Sequence, residues 1–210
     1  MFPALYAILD PDLAPVSLAS LAATLADAGV RLMQLRDKRG SAARIHLQSK
    51  ELQELVSPRG VRFIVNDRAD IAAITDAGGV HVGQEDLPAE DARRICGTSR
   101  WVGVSTHNLQ QLREADRTSV AYIAVGPLFP TGTKEKPDPV VGTKFLRTAR
   151  QLTRKPLVAI GGITIESAAD VFRAGADSVA IIRDLLAAPD PATRAKEYLA
   201  ISERTRLRRE

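Results

Sequence analysis

The sequence predicts a single (β/α)8 barrel spanning residues 1–210. Three observations predict it. Short apolar runs alternate with helical patterns from one end of the chain to the other. The runs are almost continuously apolar, as are strands buried on both faces of a parallel sheet. Polar residues recur just after nearly every run, and a barrel gathers the C-terminal ends of its strands at one mouth. A doubly wound open sheet, the structural alternative, would instead cluster such residues at one switch point. A seam of Asp-Ala-Gly or Arg-Ala-Gly before a strand (27–29, 76–78, 173–175) fits one supersecondary unit used repeatedly.

The first strand is read at 5–9, stopped by Asp10-Pro-Asp12. Ser17 caps a helix over 18–28, where Leu18, Leu21 and Leu25 keep helical spacing and Gly29 ends it. The second strand, 30–35, delivers Arg36, Asp37 and Lys38, and Ser41 opens a helix to about 56. The third, 61–65, ends in Asn66 and Asp67; a short helix over 70–77 follows. The fourth, 79–83, leads to Gln84, Glu85 and Asp86, and Pro88 opens a helix to about 96. The fifth, 101–104, precedes Ser105 and His107, with a helix over 109–116. The sixth, 121–125, runs into Gly126-Pro-Leu-Phe-Pro-Thr-Gly-Thr-Lys134, where Pro127 and Pro130 forbid a regular helix. A helix follows over about 143–152. The seventh strand, 156–160, ends in Gly161 and Gly162 before a helix over 165–174. The eighth, 178–182, is followed by Arg183 and Asp184, and a last helix covers about 191–204.

Bulk properties narrow the function classes. The chain is 45% hydrophobic and 26% charged, an ordinary globular balance with enough apolar residues for one sizeable core. A net charge of +4, much of it in 204–209, and only 4% aromatic residues do not suggest nucleic acid. A single cysteine, Cys96, excludes an internal disulfide and a cysteine zinc site; it reads as a small buried residue near a helix end. No run approaches the roughly 18 apolar residues of a membrane span. The first residues lack a basic segment followed by an apolar one, so the expected compartment is the cytoplasm. Homo-oligomerisation is left open.

The residues expected at the mouth point to phosphorylated small molecules. Thr131, Thr133 and Lys134, with Gly132 able to take positive φ, read as an anion cradle, or else as an ordinary Pro/Gly turn. Arg36, Lys38 and Lys134 supply the planar donor and point charges that a pyrophosphate needs, unless they are only solvated loop cations. Asp67 and Asp86 close neighbouring strands, so their carboxylates can meet and hold Mg²⁺ together with substrate phosphates. Alternatively each caps the helix after it. Gly161 and Gly162 expose backbone N–H groups where barrels often bind phosphate. His46 and His81 fall inside a helix and a strand and read as structural; His107 lies at the mouth. No nucleophile elbow is present.

Gln34-Leu-Arg-Asp-Lys38, Val65-Asn-Asp67, Val80-His-Val-Gly-Gln-Glu-Asp86, Gly103-Val-Ser-Thr-His107, the 126–134 segment and Ala159-Ile-Gly-Gly-Ile163 together resemble the thiamine-phosphate synthase family, in the family's order and over almost the whole chain. The resemblance implies a (β/α)8 barrel and a transferase. Such an enzyme joins the diphosphate of the aminopyrimidine hydroxymethylpyrimidine to thiazole phosphate, giving thiamine phosphate and pyrophosphate, with Mg²⁺. It further implies that Gln34, Leu35, Arg36, Asp37, Lys38, Asn66, Ser105 and Lys134 hold the pyrimidine diphosphate, with Arg36, Lys38, Ser105 and Lys134 carrying catalysis. Asp67 and Asp86 would ligate Mg²⁺. Thr131, Gly132, Thr133, Gly162, Ile182 and Arg183 would hold the thiazole phosphate. One departure is Arg183, where the family usually has Ser. Two rival readings are the thiazole tautomerase branch of the same superfamily, with His107 as acid/base, and a non-catalytic sensor of phosphate ligands. The cation and carboxylate set argues against the tautomerase, since isomerising a thiazole needs no pyrophosphate clamp.

Overall fold

The computed structural model describes residues 1–132 and 138–207. Eight parallel strands close into a barrel in sequence order, β1 pairing with β8. They are β1 (Leu5–Leu9), β2 (Leu32–Leu35), β3 (Arg62–Asn66), β4 (Gly79–Val82), β5 (Trp101–Thr106), β6 (Tyr122–Val125), β7 (Leu157–Ile160) and β8 (Ser178–Ile181). Around them lie α1 (Leu18–Asp27), α2 (Ala42–Val56), α3 (Ala69–Ile74), α4 (Ala89–Cys96), α5 (Leu109–Asp116), α6 (Gly142–Leu152), α7 (Ile165–Arg173), α8 (Arg183–Leu186) and α9 (Pro191–Arg206).

The predicted start signals act where they were read. Ser17 accepts from the Ser20 N–H and Ser41 from the Arg44 N–H, each satisfying a donor that the helix leaves open. Two elements differ from the pattern. The helix read over 70–77 stops at Ile74, because Thr75–Gly78 is needed to turn back into β4. Arg183, read as loop, instead opens the one-turn α8, which α9 holds: Tyr198 OH donates to Asp184 Oδ2 at 2.6 Å.

Strand alternation splits the core in two. Leu9, Leu35, Val65, Val82, Val104, Val125, Ala159 and Ile181 face outward against the helices, in one large cluster. Tyr6, Ile8, Leu32, Ile64, Tyr122, Ala124, Val158 and Ala180 fill the barrel interior. Both faces are buried, which is why the strands read as continuous apolar runs. The interior is packed rather than hollow. Near the N-terminal end of β5, Phe2 stacks on Trp101 at 5.1 Å, and the Arg62 guanidinium lies 4.2 Å from the Trp101 ring centre. Among the described residues no helix is long and apolar enough to cross a membrane.

Candidate active site at the barrel mouth

Asp67 and Asp86 follow β3 and β4, and the closed barrel brings their carboxylates into hydrogen-bonding contact. Neither caps a helix. The N-cap of α3 is Arg68 and that of α4 is Pro88, both without a side-chain cap bond. Asp86 Oδ2 instead accepts the Gly83 N–H at 2.8 Å, which tightens the turn leaving β4. Asp67 sits at φ 62, a left-handed conformation that Asp tolerates better than most residues. Its N–H donates to the His81 carbonyl at 2.7 Å, fixing the carboxylate over the next strand.

The electrostatics of the pair follow from crowding. Burial pushes the Asp67 carboxyl up to about 6; Lys38 opposes the rise and Asp86 adds to it. Burial would raise Asp86 too, but hydrogen bonds from Asp67 and Gly83, with the charge of Lys38, hold it below the usual carboxylate range. Lys38 Nζ reaches Asp67 Oδ2 at 2.5 Å. Two carboxylates in contact, balanced by one ammonium, form the partial donor set that Mg²⁺ uses alongside substrate phosphates. Among the described residues no cluster of three or more His, Cys, Asp or Glu side chains forms a metal cage. The residues therefore fit a cation shared with a phosphorylated ligand.

Other predicted residues divide by direction. Arg36 Nη1 donates to Asp10 Oδ2 at 2.6 Å, so Asp10, read from sequence only as a strand stop, anchors the guanidinium. The Asp37 carboxylate is fully buried. It accepts from Arg44 Nε at 2.7 Å and from the Gly40 N–H at 2.7 Å, closing the loop before α2 and leaving its main chain as the part a ligand could meet. The Leu35 side chain packs outward against the helices. Gln34 and Ser105 point into the barrel, where Gln34 Nε2 meets Tyr6 OH at 2.6 Å and Ser105 Oγ meets His81 Nε2 at 2.9 Å. Asn66 ends β3, in register with His81.

On the far side of the mouth, Gly161 and Gly162 adopt φ 96 and 62. A Cβ on either would collide with the β6 loop, 2.5 Å from Pro127 Cβ or 2.4 Å from the Pro130 carbonyl. The pair therefore serves close loop packing. It lies before the N-terminus of α7 rather than in it; that helix begins at Ile165, with a capping box between Thr164 and Ser167. Gly132, read as able to take positive φ, does not adopt it, whereas Gly161 and Gly162 do. Arg183 Nη2 donates to the Gly132 carbonyl at 3.3 Å, tying α8 to that loop beside Ile182. Thr131 lies in the same loop; Thr133 and Lys134 lie outside the described residues. His107 is engaged at both nitrogens, Nδ1 with the Gly126 carbonyl at 2.6 Å and Nε2 with Asp138 at 3.5 Å.

Residues 5–185 match the family model described as thiamine monophosphate synthase. The chain belongs to the thiamine monophosphate synthase family. A thiamine-phosphate synthase of Koribacter versatilis is 50% identical over 204 residues, covering 95% of each chain. One from Methanospirillum hungatei is 40% identical, over 92% of this chain and 95% of its own. The solved thiamine phosphate pyrophosphorylase of Pyrococcus furiosus superposes with a TM-score of 0.87 at 29% identity, covering 96% of each chain. For this family member the sequence reading missed Asp10, Tyr6 and Tyr122. Two tyrosines at inward positions of otherwise apolar strands are the signal that could have marked the last two.

Proposed function

We propose that this chain is a thiamine-phosphate synthase. It would act in the cytoplasm, transferring the pyrimidinylmethyl group of the aminopyrimidine diphosphate to the nitrogen of thiazole phosphate, with pyrophosphate released and Mg²⁺ required. The observation that carries the reading is the meeting of Asp67 and Asp86 under Lys38, across from the anchored Arg36. Asp67 and Asp86 would hold Mg²⁺, which when bound supplies positive charge to the departing diphosphate.

This chain's own residues then bind and orient. Arg36, held by Asp10, offers a fixed bidentate donor to phosphate oxygens. Lys38 is the mobile charge, able to leave Asp67 for the diphosphate once a cation neutralises the acidic pair. Gln34, Asn66 and Ser105, with the main chain of Leu35 and Asp37 and with Lys134, complete the pyrimidine diphosphate site. Thr131, Gly132, Thr133, Gly162, Ile182 and Arg183 form the thiazole phosphate site. There Arg183 would add a guanidinium contact in place of a serine hydroxyl. The thiazole nitrogen is itself the nucleophile, so the protein's contribution is charge placement and alignment of the two rings. Engagement of both His107 nitrogens weighs against the tautomerase reading.

Mixing both substrates with Mg²⁺ and assaying pyrophosphate tests the proposal. Stoichiometric pyrophosphate and thiamine phosphate are expected; no product from sound substrates would retire it.

A further inference from the structure

The barrel interior holds a connected row of polar groups. Gln34 Nε2 lies 2.6 Å from Tyr6 OH, Tyr6 OH 2.9 Å from Tyr122 OH, Tyr122 OH 3.0 Å from His81 Nδ1, and His81 Nε2 2.9 Å from Ser105 Oγ. Gln34, Tyr6, Tyr122 and His81 are all buried. The row starts at the mouth near the end of β2, dips into the core, and returns to the mouth near the end of β5. Gly103 makes the crossing feasible. It pairs with His81 on one side and Tyr122 on the other, and having no side chain it lets those rings stack across it at 5.6 Å. A Cβ there would sit 2.0 Å from the Tyr122 ring.

With Gln34 Nε2 facing Tyr6, counting protons sets the direction of the row. An amide nitrogen only donates, so Gln34 donates to Tyr6. Tyr6 then has one proton to place, and Tyr122 is its acceptor. Were Tyr122 to donate to Tyr6 instead, a buried phenol proton would be stranded without an acceptor. Tyr122 therefore donates onward to His81 Nδ1. An Nδ1 that accepts from Tyr122 carries no proton, so the ring proton of His81 sits on Nε2. That proton goes to Ser105 Oγ, which leaves the serine hydroxyl proton for the mouth. At the other end, Gln34 Oε1 has no hydrogen-bond partner among the described residues.

We propose that this row is a specificity device: through the positioning residues Tyr6, Tyr122 and His81 it presents Ser105 as a donor and Gln34 as an acceptor at the same time. An aminopyrimidine diphosphate matches that pair, giving an amino proton to Gln34 Oε1 and taking the Ser105 proton on a ring nitrogen or phosphate oxygen. An oxopyrimidine presents a lone pair to Gln34. Turning the amide over to accommodate it would reverse every bond in the row. The inference rests on the synthase reading for the identity of the ligand, but the polarity of the row does not.

Nitrogen-15 spectra of the full-length protein at neutral pH test the polarity directly, with His81 identified by eliminating the signals of His46 and His107 in single variants. A protonated Nε2 and a bare Nδ1 are expected; a proton on Nδ1 overturns the proposal. Turnover tests the specificity. In Tyr122→Phe, and independently in Tyr6→Phe, preference for the aminopyrimidine diphosphate over its oxo analogue should fall by about tenfold or more, with the KM for thiazole phosphate unchanged. Wild-type preference in both variants would overturn the specificity role. If wild-type protein turned over neither pyrimidine, the synthase reading would fail, while the ring-nitrogen spectra would still decide the polarity.

Discussion

Replacing Asp67 with Asn separates what the acidic pair costs the fold from what it does at the mouth. Burial raises the Asp67 carboxyl to about 6, whereas in the unfolded chain it titrates near 4. Between those values the folded state binds more protons than the unfolded one, so stability falls as pH rises through that window. By pH 7 the full penalty applies, about 3 kcal/mol from the gap between the two values. Asn keeps the size of the side chain, can still donate to Asp86, and accepts the left-handed backbone at this position. The ion pair with Lys38 that it gives up is already contained in that penalty, because Lys38 holds the carboxyl down to about 6 against burial. Asp67→Asn should therefore stabilise the metal-free protein at pH 7 by roughly 3 kcal/mol, or about 6–12 °C in Tm. The gain should vanish by about pH 3, below both values, where the wild-type carboxyl is protonated in both states. Turnover with Mg²⁺ should fall by on the order of 100-fold, since one of two carboxylates proposed to hold the cation is lost. Urea unfolding at the two pH values, paired with pyrophosphate release, measures all three. A variant no more stable than wild type at pH 7, or a gain independent of pH, would refute the electrostatic account of the pair.

Two further outcomes follow from the packing. Gly103→Ala should destabilise the fold by about 3 kcal/mol or more, because the added methyl meets a rigid buried ring; thermal unfolding reads this, and a shift under 2 °C would mean the ring has room to move. Asp10→Ala should release Arg36 and lower kcat/KM for the pyrimidine diphosphate by about 10- to 100-fold, with little change in the KM for thiazole phosphate. An equal rise in both KM values would make Asp10 a general structural residue.

The sequence by itself determined the barrel and most of its mouth, because those depend on local chemistry. A strand buried on both faces must be apolar throughout, so eight such runs announce eight strands. A helix start favours a short polar side chain as its cap, which made Ser17 and Ser41 legible. Polar residues directly after apolar runs marked Arg36, Lys38, Asp67 and Asp86 for the same reason. What only the tertiary structure decided is which groups meet once the sheet closes. Asp37 turns into its own loop toward Arg44 while Arg36, its neighbour, reaches back to Asp10 just after β1. Gly161 and Gly162 serve close packing against the β6 loop rather than opening a helix. The row from Gln34 to Ser105 exists because barrel register sets Gly103 between His81 and Tyr122, leaving a gap the width of one side chain. Periodicity along a chain records which face each residue takes; it carries no record of the neighbour that curvature and register bring opposite.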